Sequence, residues 1–249
     1  MGFRESLVEA ANGQWTWFGK DLGRNDKFIG PDGRTTANPT TGGNANPRKE
    51  TVEPYASRIA DYWLAIPTAD YDRLVKAYAR TKGRLDGTID IAWSAAFVSY
   101  CMQMAGAGPA FPYSSGHATW IVQSIRNRTA GKLNAGLVGY RPGEIPLAIG
   151  DLVGKPRGAD AGVTYDTAVA KGWFVSHTDI VVDIDLPNRV AHAIGGNVGQ
   201  TVGKSDIPIT ADGKLAAAGG FMVHIQDNIS GGVTGKPPAP LAPHEAKVG

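Results

Sequence analysis

Residues 90–102, DIAWSAAFVSYCM, constrain the fold of this chain more than any other segment. Their pattern is typical of an α-helix that is apolar on nearly every face, because only three clearly polar side chains interrupt the run from residue 93 to residue 105: Ser94, Ser99 and Gln103. A helix of this kind is surrounded by other parts of the protein on most sides. The segment therefore predicts the central helix of a domain.

Ser94 occupies a chemically favourable place in this helix. Asp90 can cap the N-terminus, which puts Ser94 in the first turn. Unpaired backbone N–H groups and the positive end of the helix dipole are concentrated there, so they can stabilise an oxyanion when a hydroxyl attacks a carbonyl. On this segment alone the simpler interpretation is structural, with Ser94 as a second capping residue or a small residue that fits.

The composition favours an α+β protein. Thirty-three glycines and sixteen prolines among 249 residues indicate many turns and long loops rather than a helical bundle. The single cysteine, Cys101, excludes an intramolecular disulfide and a cysteine metal cluster. A net charge of +2 with scattered basic residues gives no indication of nucleic-acid binding.

The sequence shows no targeting or membrane segment. Residues 1–8, MGFRESLV, lack the apolar run of a signal peptide. No apolar stretch approaches the roughly 20 residues that span a bilayer. We therefore expect a protein made in the cytoplasm, for which a role in the periplasm or cell wall requires a non-standard export route.

The chain divides into three predicted parts. Residues 1–84 hold helices and a long polar loop over 21–48, residues 85–229 form the core that carries the site, and residues 230–249 are a Pro/Gly-rich tail expected to be disordered. Apolar residues predict three helices in the first part: a short helix within 4–20 that is followed by an aromatic group, a second over 54–64 and a third over 71–78. Their aromatic side chains are interpreted as core rather than as ligand platforms.

The second half of the chain predicts one more helix and a sheet. Ser114 or Ser115 can cap a helix that runs to about residue 128, which places His117 in its first turn. Short apolar segments separated by turn-forming residues then predict strands of a mostly antiparallel sheet: 146–153, 172–182, 189–194 and 221–225.

One predicted strand, SHTDIVV, carries polar side chains next to an apolar run. Side chains alternate along a strand, so His177 and Asp179 share one face. Asn197 follows the next strand and can hydrogen-bond an imidazole as the neutral third member of a triad. These residues supply the base and the orienting group that a nucleophilic hydrolase needs.

Two other interpretations of these residues stay open. A histidine inside a strand often has a purely structural role, with its ring nitrogens hydrogen-bonded to neighbours. Considered by itself, His177 fits that description. A metal site is the second alternative, since His177, Asp179 and His192 have ligand side chains. It lacks a dense ligand motif such as HExxH.

Four segments in order, WSAAFV (93–98), PLAIGDLV (146–153), HTDIVV (177–182) and GGNVGQTV (195–202), resemble the papain-like cell-wall hydrolases. These are the CHAP and NlpC-type amidases and endopeptidases. The chain resembles more closely an uncharacterised bacterial family allied to them, in which Ser replaces Cys in the Trp-Cys-Ala-Ala-Phe signature. The resemblance implies a papain-like α+β fold, with a central helix on a mostly antiparallel sheet and extra N-terminal helices.

The resemblance also implies roles for individual residues. Ser94 takes the position of the nucleophile, His177 that of the general base and Asn197 that of the orienting polar residue. Asp179 matches no residue of the general pattern and is expected to join the catalytic group. Three further residues are expected to contact substrate: Trp93, His117 and Tyr113. No metal or cofactor is expected.

The implied function is hydrolysis of amide bonds in peptidoglycan, by an antibacterial effector or a phage lysis or tail enzyme. Peptidoglycan or a peptide is then the substrate, and an immunity protein or a delivery apparatus is a possible partner. Two alternatives use the same groove: a non-catalytic module that binds cell wall or peptide, and a serine acyltransferase or esterase.

Serine at position 94 departs from papain-like chemistry, which relies on a thiolate. A hydroxyl needs concerted proton removal by a neighbouring base. The chain is therefore a serine hydrolase on a papain-like scaffold, a binding protein, or a cysteine enzyme whose nucleophile has been replaced. Cys101 is rejected as a displaced nucleophile because it lies about two helical turns, roughly 10 Å, deeper in the core. The catalytic interpretation predicts Ser94 Oγ within about 3–4 Å of a ring nitrogen of His177.

Overall fold

A computed structural model describes the following parts of the 249-residue chain: residues 1–22, 27–29, 35–37, 49–66, 86–89 and 91–230. Its helices and strands confirm the α+β class predicted from the sequence. Several predictions fall on residues outside these parts: capping by Asp90, the helix over 71–78, most of the loop over 21–48 and the tail beyond residue 230.

The described residues form five α-helices: α1 (Phe3–Trp17), α2 (Tyr55–Leu64), α3 (Ser94–Met104), α4 (Ala118–Thr129) and α5 (Tyr165–Lys171). α3 is the predicted central helix, and every residue from 94 to 102 is buried. It begins at Ser94, with Trp93 in the N-cap position. None of the helices in the described ranges combines the length and the apolar character needed to cross a membrane.

Seven strands form one sheet in the order β1-β8-β7-β6-β5-β9-β4, and β2 pairs with β3 separately. Within the large sheet, β1 and β8 are parallel and the other neighbours are antiparallel. The strands have these bounds: β1 (Asp21–Leu22), β2 (Lys27–Ile29), β3 (Thr35–Ala37), β4 (Leu137–Tyr140), β5 (Leu152–Pro156), β6 (Ser176–Asp185), β7 (Val190–Gly195), β8 (Gly203–Pro208) and β9 (Val223–Asp227).

The sheet has an apolar cluster on each face. Ile180 and Val182 of β6 belong to the main core together with the helices, whereas Val181 belongs to a second core beyond the sheet. Alternation along β6 therefore directs Thr178, two residues before Ile180, toward the helices. α3 packs against β6 and β7 on this side.

The two N-terminal helices complete the main core around α3. The ring of Trp93 stacks on Phe18 at a centroid distance of 6.1 Å and lies 5.8 Å from Tyr62 of α2. Arg58 of α2 is buried and donates hydrogen bonds to Gln14 and to the Tyr100 hydroxyl. Ring pairs of this kind contribute about 0.5–1.5 kcal/mol each beyond area burial, so they fix the start of α3.

A buried polar cluster anchors α1 to the turn before β5. Gly150 adopts a positive φ of 92°, and the next residue, Asp151, is buried. Asp151 accepts hydrogen bonds from Arg4 (2.7 Å), from His224 Nε2 (2.7 Å) and from the backbone N–H of Asp227 (3.1 Å). The turn formed by Gly150 and Asp151 thus connects the N-terminal helix, β5 and β9.

Candidate active site

Ser94 is the first residue of α3 and is only 7% exposed. Its hydroxyl Oγ lies 2.7 Å from Nε2 of His117. The preceding residue, Trp93, is buried and donates a hydrogen bond from Nε1 to Glu50 (2.8 Å), which holds the chain at the helix start. The first N–H groups of a helix have no partner inside it, so Ser94 stands where an oxyanion can be bound.

His117 occupies the N-cap position of α4 and is buried. Its second ring nitrogen, Nδ1, lies 2.8 Å from Oγ1 of Thr178 in β6. Trp120, one turn into α4, donates from Nε1 to the same hydroxyl at 3.1 Å, and its ring lies edge-on to His117 at 5.0 Å. The imidazole is therefore held between α3 and β6.

The hydrogen-bond pattern around His117 determines what it can do. For Nε2 to accept the proton of Ser94, the neutral imidazole must carry its own proton on Nδ1 and donate it to Thr178. A threonine hydroxyl has two acceptor positions, one for His117 and one for Trp120. Thr178 can thus act as the neutral third member of a Ser-His-Thr arrangement.

The environment keeps His117 uncharged. Burial, followed by the charge of the nearby His177, lowers the pKa of His117 well below its ordinary value of 6.5. The two imidazole rings are 5.2 Å apart. A histidine with such a pKa is neutral at neutral pH, which is the form that accepts a proton.

His177 and Asp179 form a second buried pair beside the first. His177 donates from Nε2 to Oδ1 of Asp179 at 2.7 Å. Burial alone raises the pKa of Asp179, but the charge of His177 and its hydrogen bond outweigh burial and hold the pKa below its ordinary value. Asp179 is therefore an anion, and its negative charge favours a proton on His117.

Two glycines at the end of β7 make room for the site. A Cβ on Gly195 would lie 1.8 Å from Oδ1 of Asp179 and 3.0 Å from Nε2 of His177. A Cβ on Gly196 would lie 2.4 Å from Cβ of Phe97 in α3. Only glycine lets β7 approach both the His-Asp pair and the central helix this closely.

The structure corrects the predicted partner of Ser94. His177 is directed to Asp179, two residues along the same strand, and His117 takes the place beside the Ser94 hydroxyl. From the sequence, His117 was predicted to lie at the start of a helix and to contact substrate. Its position beside Ser94 depends on how α4 packs against α3 and β6, which sequence spacing does not specify.

The other predicted site residues lie in different surroundings. Asn197 lies in the turn after β7 with a left-handed φ of 55°. The role expected for Asn197, to hydrogen-bond and orient a histidine ring, is filled among the described residues by Thr178 for His117 and by Asp179 for His177. Trp93 is a core residue and has no face open to substrate. Tyr113 is half-buried against the ring of Phe111, at 5.3 Å.

The alternative metal site does not assemble in this arrangement. His192 pairs with Asp206 at 2.8 Å and lies opposite Asp183 in the sheet, away from the His177–Asp179 pair. Across the described ranges, no three His, Cys, Asp or Glu side chains converge as metal ligands. Cys101 is fully buried in α3, and burial raises the pKa of its thiol.

Thr178 is the site residue that sequence reasoning missed. It lies between His177 and Asp179 in the HTDIVV segment, on the opposite side of the strand, where a threonine is an ordinary β-former. Its one sequence signal is that the rest of that side is apolar: Ile180 and Val182. A hydroxyl facing an apolar core needs a hydrogen-bond partner.

Comparisons with known proteins identify one family. Neither a search of curated proteins nor a search of solved structures found a match. A family model described as "Uncharacterized protein conserved in bacteria (DUF2272)" matches residues 50–229, which include Ser94, His117, Thr178 and the His177–Asp179 pair. Because the match covers most of the chain, the protein belongs to this bacterial family of uncharacterized proteins.

Proposed function

We propose that this protein hydrolyses amide bonds in the peptide part of the bacterial cell wall, with Ser94 as the nucleophile and His117 as the general base. The observation that carries the proposal is the 2.7 Å contact between the Ser94 hydroxyl and His117 Nε2 at the start of a buried helix. The substrate class is supported by the resemblance of four chain segments to papain-like cell-wall hydrolases. Such a substrate implies action outside the cytoplasm, after delivery by a secretion apparatus or a phage particle.

The proposed reaction follows the steps of a serine hydrolase. Ser94 Oγ attacks the carbonyl carbon while its proton passes to Nε2 of His117. The negative oxygen of the tetrahedral intermediate is stabilised by backbone N–H groups at the start of α3. His117 then gives the proton to the leaving amine, and a water molecule, deprotonated by the same nitrogen, releases the acyl group from Ser94.

The neighbouring residues support this use of a serine. A hydroxyl cannot rest as an ion pair with histidine, so it needs a neutral base with a free Nε2. The lowered pKa of His117 supplies the neutral form. When His117 becomes an imidazolium during the reaction, the Asp179 carboxylate is the nearby charge that stabilises it.

The test is cleavage of purified sacculi, with the released fragments analysed by mass spectrometry. We expect the wild type to release peptide-containing fragments. We expect Ser94→Ala and His117→Ala to reduce the rate by about 100-fold or more. His192→Ala is the matched control, because His192 pairs with Asp206 outside the site and its loss should leave the rate unchanged.

Ser94→Cys separates the remaining outcomes. Cleavage by this variant without cleavage by the wild type would contradict the serine mechanism and indicate a cysteine enzyme whose nucleophile has been replaced. Unchanged cleavage by Ser94→Ala would contradict any role of Ser94 as nucleophile.

A second candidate function is a binding module for cell-wall peptide without catalysis. The observation that favours it is the low exposure of the site, since Ser94 is 7% exposed and His117 is buried too. In that case no variant cleaves sacculi, while all of them still sediment with sacculi.

A further inference from the structure

Two cationic side chains lie at the end of β5, next to the His177–Asp179 pair. Lys155 is directly opposite His177 in the antiparallel register of β5 and β6. Arg157 follows two residues later, and its backbone N–H donates to the carbonyl of Val175 at 2.8 Å. Opposite residues of paired strands share a face, so both cations lie on the side of the sheet that carries His177.

Both side chains are half-buried, and within the described part of the chain neither has a carboxylate within ion-pair distance. Lys155 Nζ lies over the ring of Phe221, 5.1 Å from its centroid. Asp160, three residues after Arg157, is already engaged, because it accepts from the backbone N–H of Val175 (2.8 Å) and from Lys171 (3.2 Å). A half-buried cation without a counter-ion loses part of its hydration, and a bound anion would offset that loss.

The charges of these residues reach the candidate active site. Both lower the pKa of Asp179, and Arg157 also lowers the pKa of His117. Geometry gives the same neighbourhood, because Lys155 lies opposite His177 and the ring centroid of His177 is 5.2 Å from that of His117. An anion held by the two cations would therefore lie next to His177, at the edge of the candidate active site.

An exposed apolar surface adjoins the cations. Trp173 is 57% exposed and Val175 is 42% exposed, in the segment that leads into β6. Trp173 Nε1 is 3.2 Å from the position that a Cβ on Gly116 would take, and Gly116 immediately precedes His117. This surface therefore extends from the start of β6 to the residue before His117.

We propose that Lys155 and Arg157 form an anion-binding subsite that holds a carboxylate of the peptide substrate, with Trp173 and Val175 as its apolar wall. The proposal rests on the proposed function, because it assigns a substrate group to the same site. A guanidinium and an ammonium each bind a carboxylate through charge-assisted hydrogen bonds. A substrate whose carboxylate is amidated loses these bonds and leaves both cations unpaired.

The test measures binding without turnover. Ser94→Ala protein is titrated calorimetrically with soluble peptide-bearing fragments of peptidoglycan, either with free carboxylates or after amidation of those carboxylates. We expect the free form to bind about tenfold tighter or more, with a preference that weakens at high salt. In the Lys155→Gln/Arg157→Gln variant the preference should disappear, and Arg157→Lys should retain part of it.

The matched control is Arg126→Gln/Lys132→Gln, which removes the same charge in and just after the last turn of α4. Arg126 is nine residues after His117, which is about 13 Å along the helix axis, and Lys132 follows the end of the helix. The control should keep the full preference for the free carboxylate. Circular dichroism and thermal unfolding establish that each variant is folded.

Equal affinity for the free and amidated fragments, or a preference that survives in Lys155→Gln/Arg157→Gln, would overturn the subsite. Absence of binding by either form would overturn it as well. Failure of the proposed hydrolysis is a different result: wild-type protein would leave sacculi intact, while the charge-dependent binding and its loss in the double variant would still support the subsite.

Discussion

Nδ1 of His117 lies 2.8 Å from Oγ1 of Thr178, so the histidine beside Ser94 is oriented by a neutral hydroxyl and not by a carboxylate. Asp179, whose charge acts on His117, is hydrogen-bonded to a different histidine, His177. The site therefore contains a neutral Ser-His-Thr arrangement next to a buried His-Asp pair whose carboxylate is ionised. Burial, followed by the nearby His177, lowers the pKa of His117, and the tautomer of His117 depends on Thr178.

Thr178→Val should reduce kcat for cleavage of cell-wall peptide by about 10–100-fold, because loss of the hydroxyl leaves His117 Nδ1 and Trp120 Nε1 without an acceptor. Thr178→Ser keeps the acceptor and should retain most of the activity. Steady-state kinetics on soluble fragments checks both variants. Equal rates for Thr178→Val and the wild type would show that Thr178 does not orient the base.

The pH dependence of kcat/KM should reflect the low pKa of His117. Protonation of His117 stops the reaction, so activity falls as the pH drops through the pKa of His117 in the free enzyme. Since that pKa is below 6.5, the rate should be constant across neutral pH and decline only in the acidic range. An acidic limb centred at or above pH 6.5 would mean that another group is the base.

Gly195→Ala should damage the His-Asp pair. The added Cβ would lie 1.8 Å from Oδ1 of Asp179, so the carboxylate must move away from His177. We expect a loss of about 1–3 kcal/mol in the free energy of unfolding, together with a loss of activity. Gly162→Ala is the control, because nothing lies within 4 Å of the Cβ it would add. Chemical denaturation and cleavage assays that gave the same values for both variants would contradict this role of Gly195.

Asp227→Asn should stabilise the protein at alkaline pH. Burial raises the pKa of Asp227 from 3.8 to about 7, and within the described residues its buried Oδ2 has no hydrogen-bond partner. Between these two pH values the folded protein holds a proton that the unfolded chain releases, so ionisation of Asp227 lowers stability as the pH rises.

The neutral amide in Asp227→Asn avoids this penalty and keeps the acceptor for the backbone N–H of Ile229. We expect a gain of about 2–4 kcal/mol in the free energy of unfolding near about pH 8 and a much smaller gain near about pH 4.5. Thermal unfolding at both pH values measures the difference. A gain that did not change with pH would contradict the raised pKa.

The sequence predicted the parts of the fold that local pattern determines. The apolar run of α3, the helical spacing of α2 and the patterns of β6 and β7 are properties of short segments, and each element overlaps its prediction. β6 nevertheless begins at Ser176 rather than at residue 172. β4 was missed because LVGY is short and contains a glycine. The close packing of α4 on β4 requires this glycine, because a Cβ on Gly139 would lie 2.7 Å from Ser124 Oγ. β8, GKSDIP, was missed because it lacks an apolar face.

The contacts within the site could be predicted only in part. Ser94, at the start of the central helix, and the His177–Asp179 face of β6 follow from periodicity. His117 is 23 residues from Ser94 and 61 residues from Thr178, so its contacts depend on tertiary packing. His177 was assigned to Ser94 because the resemblance to papain-like hydrolases puts the general base at this position of the strand.

The most direct test of Ser94 activation by His117 is covalent labelling with a fluorophosphonate probe, followed by peptide mapping. It requires no knowledge of the substrate. We expect a single adduct on Ser94 in the wild type and in His192→Ala, and none in Ser94→Ala or His117→Ala. An unlabelled wild type, or labelling of Ser94 that persists undiminished in His117→Ala, would contradict the activation of Ser94 by His117.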